Sequence, residues 1–249
     1  RVEQAAMWQR GTQWRLLGSI RPNAVPCGDL LSTGRGTSAD GKVMVGLAWD
    51  NCSAARAFRW EEATGMVDLG TVVANRSTSA NGVSADGRVV VGYQQRSDGV
   101  RQGARWVDGK EDVFAGPNGH VGDAFAANKD GPIIVGQNCR PPTDTDPFDQ
   151  SAWIWTAAEG IVCVPVPGRR PSAEGLMLST RDDGRVIGGG HGEGLDSEAV
   201  IWIDRKPMYL KDYLRAHGVP RAFERWINTG FINGVSPDGR VLVGFGAGP

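Results

Sequence analysis

The stretch "NGVSADGRVVVGY", residues 81–93, returns near the far end of the chain as "NGVSPDGRVLVGF", residues 233–245. Aligned on the Asp-Gly pair, three more copies appear: "SADGKVMVG" from 38, "NKDGPIIVG" from 128 and "RDDGRVIGG" from 181. The glycines of the pair stand at 41, 87, 131, 184 and 239, at spacings of 46, 44, 53 and 55. A second series runs out of phase with the first: "AAMW", "AFRW", "GARW", "AWIW" and "AVIW", ending at Trp8, Trp60, Trp106, Trp155 and Trp202. A fixed period of this length means an array of supersecondary units.

Each unit reads as four short strands. Asp-Gly between two apolar runs is a hairpin signal, because a type I′ turn needs positive φ at both central residues. In the second unit "TSANGVS" is strand a, "RVVVGYQ" strand b, "GARWV" strand c and "EDVFAG" strand d, with a tight turn at "DGK". The Val-rich strand b predicts burial on both faces. Near the end of each strand a stands a small residue, Gly36, Gly82, Ala126, Ser179 or Gly234, as strands crowded around an axis require.

Five such units predict an all-β, five-bladed β-propeller over residues 1–249 as a single domain. The first piece of chain supplies strands c and d, the last supplies a and b, and together they would complete one blade. The wrap-around spacing, 249 − 239 + 41 = 51, then matches the other four. The exception is residues 210–227, where Leu210, Tyr213 and Leu214 fall at helical spacing before the Gly218–Pro220 breaker, so one or two short helices are expected. The repeat tryptophans read as inter-blade core. The turn aspartates Asp40, Asp86, Asp130, Asp183 and Asp238 read as turn formers, not calcium ligands.

"AFRWEEATGMVDLGT" (57–71) followed by "SANGVSADGRVVVGY" (79–93) resembles the bacterial HAF-type extracellular repeat. The tail, "LKDYLRAHGV" and then "INGVSPDGRVLVGFG", is similar to how such proteins finish. The match is sharp in residues 57–92 and 232–246. The third and fourth units depart from it, with Pro132 after one turn and "AEGIVCVPV" lacking the Asp-Leu-Gly-Thr. The resemblance implies secretion or cell-surface display and no particular activity.

The composition excludes several classes. Lys plus Arg is 27 and Asp plus Glu is 28, a net charge of −1, with no basic block to track a phosphate backbone. No apolar run is long enough to span a membrane as a helix. The chain starts at Arg1 without a signal peptide, as a mature or trimmed form would. Cys27, Cys52, Cys139 and Cys163 lack the short spacings of a zinc site. Cys52 and Cys139 both lie just past a strand b, each with a partner about 25 residues away, so the pairing expected is Cys27–Cys52 and Cys139–Cys163.

No nucleophile elbow, zinc-protease motif or phosphate loop occurs, and neither a cofactor nor a metal is expected. In a propeller the b–c and d–a loops share one face, over the central channel. There the sequence places Trp49, Asp50, Gln94, Arg96, His191 and Glu193 from the b–c connections. The d–a connections add His120, Asp123, Arg170 and Trp226. A mixed polar and aromatic rim is a candidate ligand site. One reading is a monomeric binding module for a glycan or protein ligand. The alternative is a carbohydrate-active hydrolase or lyase using Asp50, Asp123, His191 and Glu193. His217, in the helical insert, reads as a surface residue near a helix end.

Overall fold

The computed structural model describes residues 2–117, 119, 121–140, 151–168, 175–192 and 196–248, with the backbone but not the side chains of Asp50 and Asn51. The chain forms two compact units, Arg1–Phe114 and Ala115–Pro249.

The first unit opens with a hairpin, β1 (Ala6–Met7) and β2 (Arg15–Leu16). Two four-stranded antiparallel meanders follow: β3 (Ser32–Thr37), β4 (Met44–Asn51), β5 (Ala54–Glu61), β6 (Gly65–Asp68), then β7 (Thr78–Val83), β8 (Val89–Gln95), β9 (Arg101–Val107), β10 (Lys110–Val113). The second unit repeats the plan with β11 (Ala124–Ala127), β12 (Ile133–Cys139), β13 (Ser151–Thr156), β14 (Gly160–Val164) and β15 (Gly175–Thr180), β16 (Val186–His191), β17 (Glu198–Ile203), β18 (Lys206–Tyr209). These two meanders are bridged by a single residue pair, Gln137 opposite Leu176. A helix, α1 (Leu210–Ala216), and a two-stranded sheet of β19 (Asn228–Val235) and β20 (Leu242–Ala247) complete it. The helix ends where Gly218 takes φ +84°, and exposed His217 caps it, stacked on Tyr213 with ring centroids 4.1 Å apart.

The Asp-Gly turns are not of the expected type. Gly41, Gly87, Gly131, Gly184 and Gly239 have positive φ, but among the described residues the aspartates before them do not. Gly87 N–H donates to Ser84 O at 2.9 Å and Ser84 N–H to Val89 O at 2.8 Å, and the other four turns repeat both bonds. The result is a type I turn followed by a left-handed glycine, in a loop two residues longer than that of a type I′ hairpin. The extra width lets the side chains work: Ser84 Oγ accepts the Val89 N–H at 3.0 Å and donates to Asp86 at 2.6 Å, while Asp86 accepts the Arg88 N–H at 3.0 Å. Positive φ at both central residues occurs instead at Asp108–Gly109 and Asp204–Arg205, between strands c and d.

Every strand a carries a bulge at the same place. The residue left out of the ladder is Arg35, Asn81, Phe125, Leu178 or Asn233, immediately before the small residue of the repeat. The bulge pushes the carbonyl two residues earlier toward strand b, where Gly46, Gly92, Gly136, Gly189 or Gly244 receives it, and a Cβ at any of the five would overlap that carbonyl. The small residue serves close packing, as expected: a Cβ on Gly36 would lie 3.3 Å from Gly82 Cα in the next meander.

Trp106 packs with Val43, Val45, Ala57, Ala80 and Val90 from both meanders of the first unit, and Trp202 with Val135, Ala152, Ile154 and Val164 in the second. Trp60 is also core, against Ala5, Leu17 and Met44. Trp155 is half-buried. Trp8 departs from the pattern at 54% exposure; among the described residues β1 pairs with β2 alone. The cysteines pair as Cys27–Cys52 and Cys139–Cys163, with Cα atoms 4.6 and 5.4 Å apart. Two disulfides suit an oxidising, non-cytoplasmic compartment. Among the described residues no helix is long and apolar enough to cross a membrane.

Candidate functional site

In the first unit the β1–β2 hairpin and the β3–β6 meander enclose a cleft of about 690 Å³. One wall is the hairpin loop "WQRGTQW", residues 8–14. Its turn is closed by Thr12 N–H donating to Gln9 O at 3.0 Å, with Thr12 Oγ donating to the same carbonyl at 2.8 Å and Gly11 at φ +84°. This geometry projects Gln9, Thr12 and Gln13 into the lining. Opposite them stand Gly41 and Lys42 of an a–b turn and Glu61, Glu62 and Ala63 of a c–d turn. Met7 and Trp60 form the apolar floor.

The charges of the cleft are all engaged. The Arg15 guanidinium lies 5.0 Å over the Trp60 ring and pairs with Glu62. Lys42 pairs with Asp40 at 3.3 Å and Glu61 with Arg59 at 2.6 Å. The hydrogen bond from Arg59, working against partial burial, holds the Glu61 carboxyl below the usual carboxylate range. The Gln9 and Gln13 side-chain amides have no protein partner among the described residues. Trp14, between Gln13 and Arg15 in sequence, is 72% exposed.

The residues expected over the channel mouth are placed within their own units as follows. Strand b runs past its repeat glycine, so Trp49, Gln94 and His191 are ladder residues opposite Ala55, Gln102 and Glu198. The connection after β4 is two residues long, where a long loop was expected. Trp49 is half-buried. Gln94 is buried, its Oε1 accepting from Thr71 Oγ at 2.7 Å. Asp123 is buried too, its carbonyl accepting the Gln137 N–H at 3.1 Å. His191 is buried, its ring edge-on to Tyr209 at 6.3 Å, and neither ring nitrogen has a hydrogen-bond partner among the described residues. Arg96 pairs with Asp98 at 2.8 Å. Trp226, 45% exposed, lines an apolar groove of about 180 Å³ with Phe223, Phe231 and Phe245. His120, Arg170, Glu193 and the Asp50 side chain lie outside the described residues. The sequence signal for the Trp60 cleft was two tryptophans and two glutamines around a glycine turn, which the repeat alignment passed over.

No family model matches this chain, and neither does any curated protein. Among solved structures it resembles TolB from Acinetobacter baumannii, with TM-score 0.50, 15% identity and 79% of this chain covered. This chain covers 45% of that one. The fold is a β-propeller. An oligogalacturonate lyase from Vibrio parahaemolyticus is a more distant likeness, with TM-score 0.35, 14% identity, and 71% of this chain and 64% of that one covered. That likeness bears on neither activity nor substrate. The Trp60 cleft lies between the two-stranded β1–β2 sheet and the β3–β6 meander.

Proposed function

We propose that this chain is a secreted or surface-displayed propeller of the HAF-repeat type that acts as a ligand-binding module, holding a glycan or protein ligand in the Trp60 cleft. The observation that carries this reading is the cleft itself: about 690 Å³, within the range of small-molecule sites, with an aromatic floor and two unpaired amides. Glu61 and Glu62 are both held in ion pairs with arginines, so neither is a free acid or base.

The propeller is proposed to be a single five-bladed domain. In the four complete blades the residue three after the turn glycine always faces the repeat Trp: Met44 opposite Trp60, Val90 opposite Trp106, Ile134 opposite Trp155 and Ile187 opposite Trp202. The same rule would set Leu242 of β20 opposite Trp8, just past β1. What supports such a fifth blade is that β20 has only β19 beside it and leaves Val243 and Phe245 more than half exposed, as Trp8 is.

The test is a glycan array and a surface-capture assay, run beside a reducing-sugar assay on the same polysaccharides. Binding without sugar release, weakened by Gln13→Ala, is the expected result. Sugar release would favour the enzyme. Binding lost in Trp49→Ala or Trp226→Ala, but normal in Gln13→Ala, would move the site to the b–c and d–a face.

A further inference from the structure

Resting on the reading of the Trp60 cleft as a binding site, we propose that its ligand is an uncharged glycan. The four charged side chains of the lining are two cations and two anions, each with a partner of opposite sign: Arg15 with Glu62, Lys42 with Asp40, Glu61 with Arg59. The two partners outside the lining, Asp40 and Arg59, cancel as well. Among the lining residues a uronate, sulfate or phosphate group meets no unpaired cation, and it must compete with Glu62 for Arg15 or with Asp40 for Lys42, losing about what it wins. An anionic polymer is therefore disfavoured by the site's own charge pairing.

What remains free in the cleft is neutral. The amides of Gln9 and Gln13 each carry two donors and an acceptor on one planar group, which suits vicinal hydroxyls that donate and accept at once. Trp14, outside the lining but next to Gln13 in sequence and largely exposed, offers a flat apolar face for the C–H side of a longer chain's sugar ring. The floor of Met7 and Trp60 continues that apolar surface inward. A protein ligand is the poorer fit, because a stable interface wants roughly 800 Å² from each side, whereas this is a narrow concavity.

The experiment is titration calorimetry with cellohexaose, laminarihexaose, xylohexaose and hexagalacturonate, at low and high salt, on the native chain and on Gln9→Ala, Gln13→Ala and Trp14→Ala. All three positions are exposed on the hairpin, and melting curves confirm that the variants are folded. At least one neutral hexaose should bind, with affinity changing less than about twofold across the salt range. Gln13→Ala should weaken it about fivefold, the loss of one net hydrogen bond. Binding by hexagalacturonate alone, falling with salt and still weakened by Gln13→Ala, overturns the uncharged ligand and leaves the cleft standing. Binding that none of the three variants weakens overturns the cleft. No binding by any of the four overturns both.

Discussion

Glu111 accepts the Val72 N–H with one carboxylate oxygen at 3.0 Å, while its other oxygen is buried without a partner. Val72 belongs to the connection between β6 and β7, and Glu111 to the outermost strand of the next blade, so the bond ties two blades together. The same connection is held by Gln94 through Thr71, and by Arg56, which donates to Arg76 O at 3.1 Å. Burial pushes the Glu111 carboxyl up to about 7, against the lowering influence of the Val72 N–H and of Arg56.

The sign of the pH dependence follows. The folded state holds the Glu111 proton more tightly than the unfolded chain, where a glutamate has its ordinary value of 4.5. Its contribution is therefore present in full below that value, is lost as pH rises toward about 7, and is level above it. Glu111→Gln keeps an acceptor for Val72 and removes the ionisation. It should raise the melting temperature above neutral pH and flatten the fall between acid and neutral pH. The stabilisation should be about 1 kcal/mol, because the group is only partly buried. Thermal melts of both proteins across that pH range check it, and parallel curves would show that Glu111 is not the titrating group.

Three of the turn aspartates, Asp40, Asp86 and Asp238, titrate the other way. At Asp86, burial raises the carboxyl, but the Ser84 hydroxyl and the Arg88 N–H outweigh it and the value is lowered. At Asp238 the Ser236 hydroxyl and then the Arg240 N–H lower it, and at Asp40 the Lys42 N–H leads. These turns add stability above the ordinary aspartate range that is lost as pH falls through the depressed values. Ser84→Ala removes both the acceptor for Val89 and the donor to Asp86 at a buried site. It should cost about 1–2 kcal/mol and return the Asp86 titration toward its usual value. Urea melts measure the first, and carboxyl chemical shifts followed with pH measure the second.

Strand order, repeat length, the two disulfides and the helical insert were legible because each rests on local pattern: apolar runs, turn residues, even cysteine spacing. The bulge of strand a was not. Nothing in the spacing marks Arg35 or Asn81 as the residue left out of the ladder, and the carbonyl it displaces is what makes glycine necessary at Gly46 and Gly92 inside strand b. The ladder pairing of Trp49 and His191 at the end of strand b was likewise unmarked. The cleft was hidden for a different reason. Its ion pair of Arg15 with Glu62 and its stacking of Arg15 on Trp60 join residues more than forty apart, which no window of local sequence connects.

The bulge makes a sharp prediction about strand b. Gly92 lies against the Ser79 carbonyl, and an added Cβ would overlap it, with strand a held on its other side by the neighbouring blade. Backbone cannot yield as a flexible side chain can. Gly92→Ala should cost about 3 kcal/mol or more. Gly109→Ala, in a left-handed turn with open space around it, should cost only about 1 kcal/mol, from backbone strain alone. Equal losses for the two in denaturant melts would mean that strand a moves aside and the bulge is not a fixed feature.

Closure of the ring can be tested through the register of its seam. The four complete blades place the residue three after the turn glycine opposite the repeat Trp, so a fifth blade sets Leu242 against Trp8. Directly opposed residues of antiparallel strands have Cα atoms about 4.5–5.5 Å apart, within reach of a disulfide. Among the described residues no cysteine is free to compete. Trp8→Cys combined with Leu242→Cys should therefore form an intramolecular bridge under mild oxidation, seen by non-reducing peptide mapping, and raise the melting temperature. Shifting one partner by a residue, as Trp8→Cys with Val243→Cys, points the side chains to opposite faces and should leave both thiols free. Free thiols in both pairs, or bridges only between separate molecules, would mean that the half-blades do not meet within one chain.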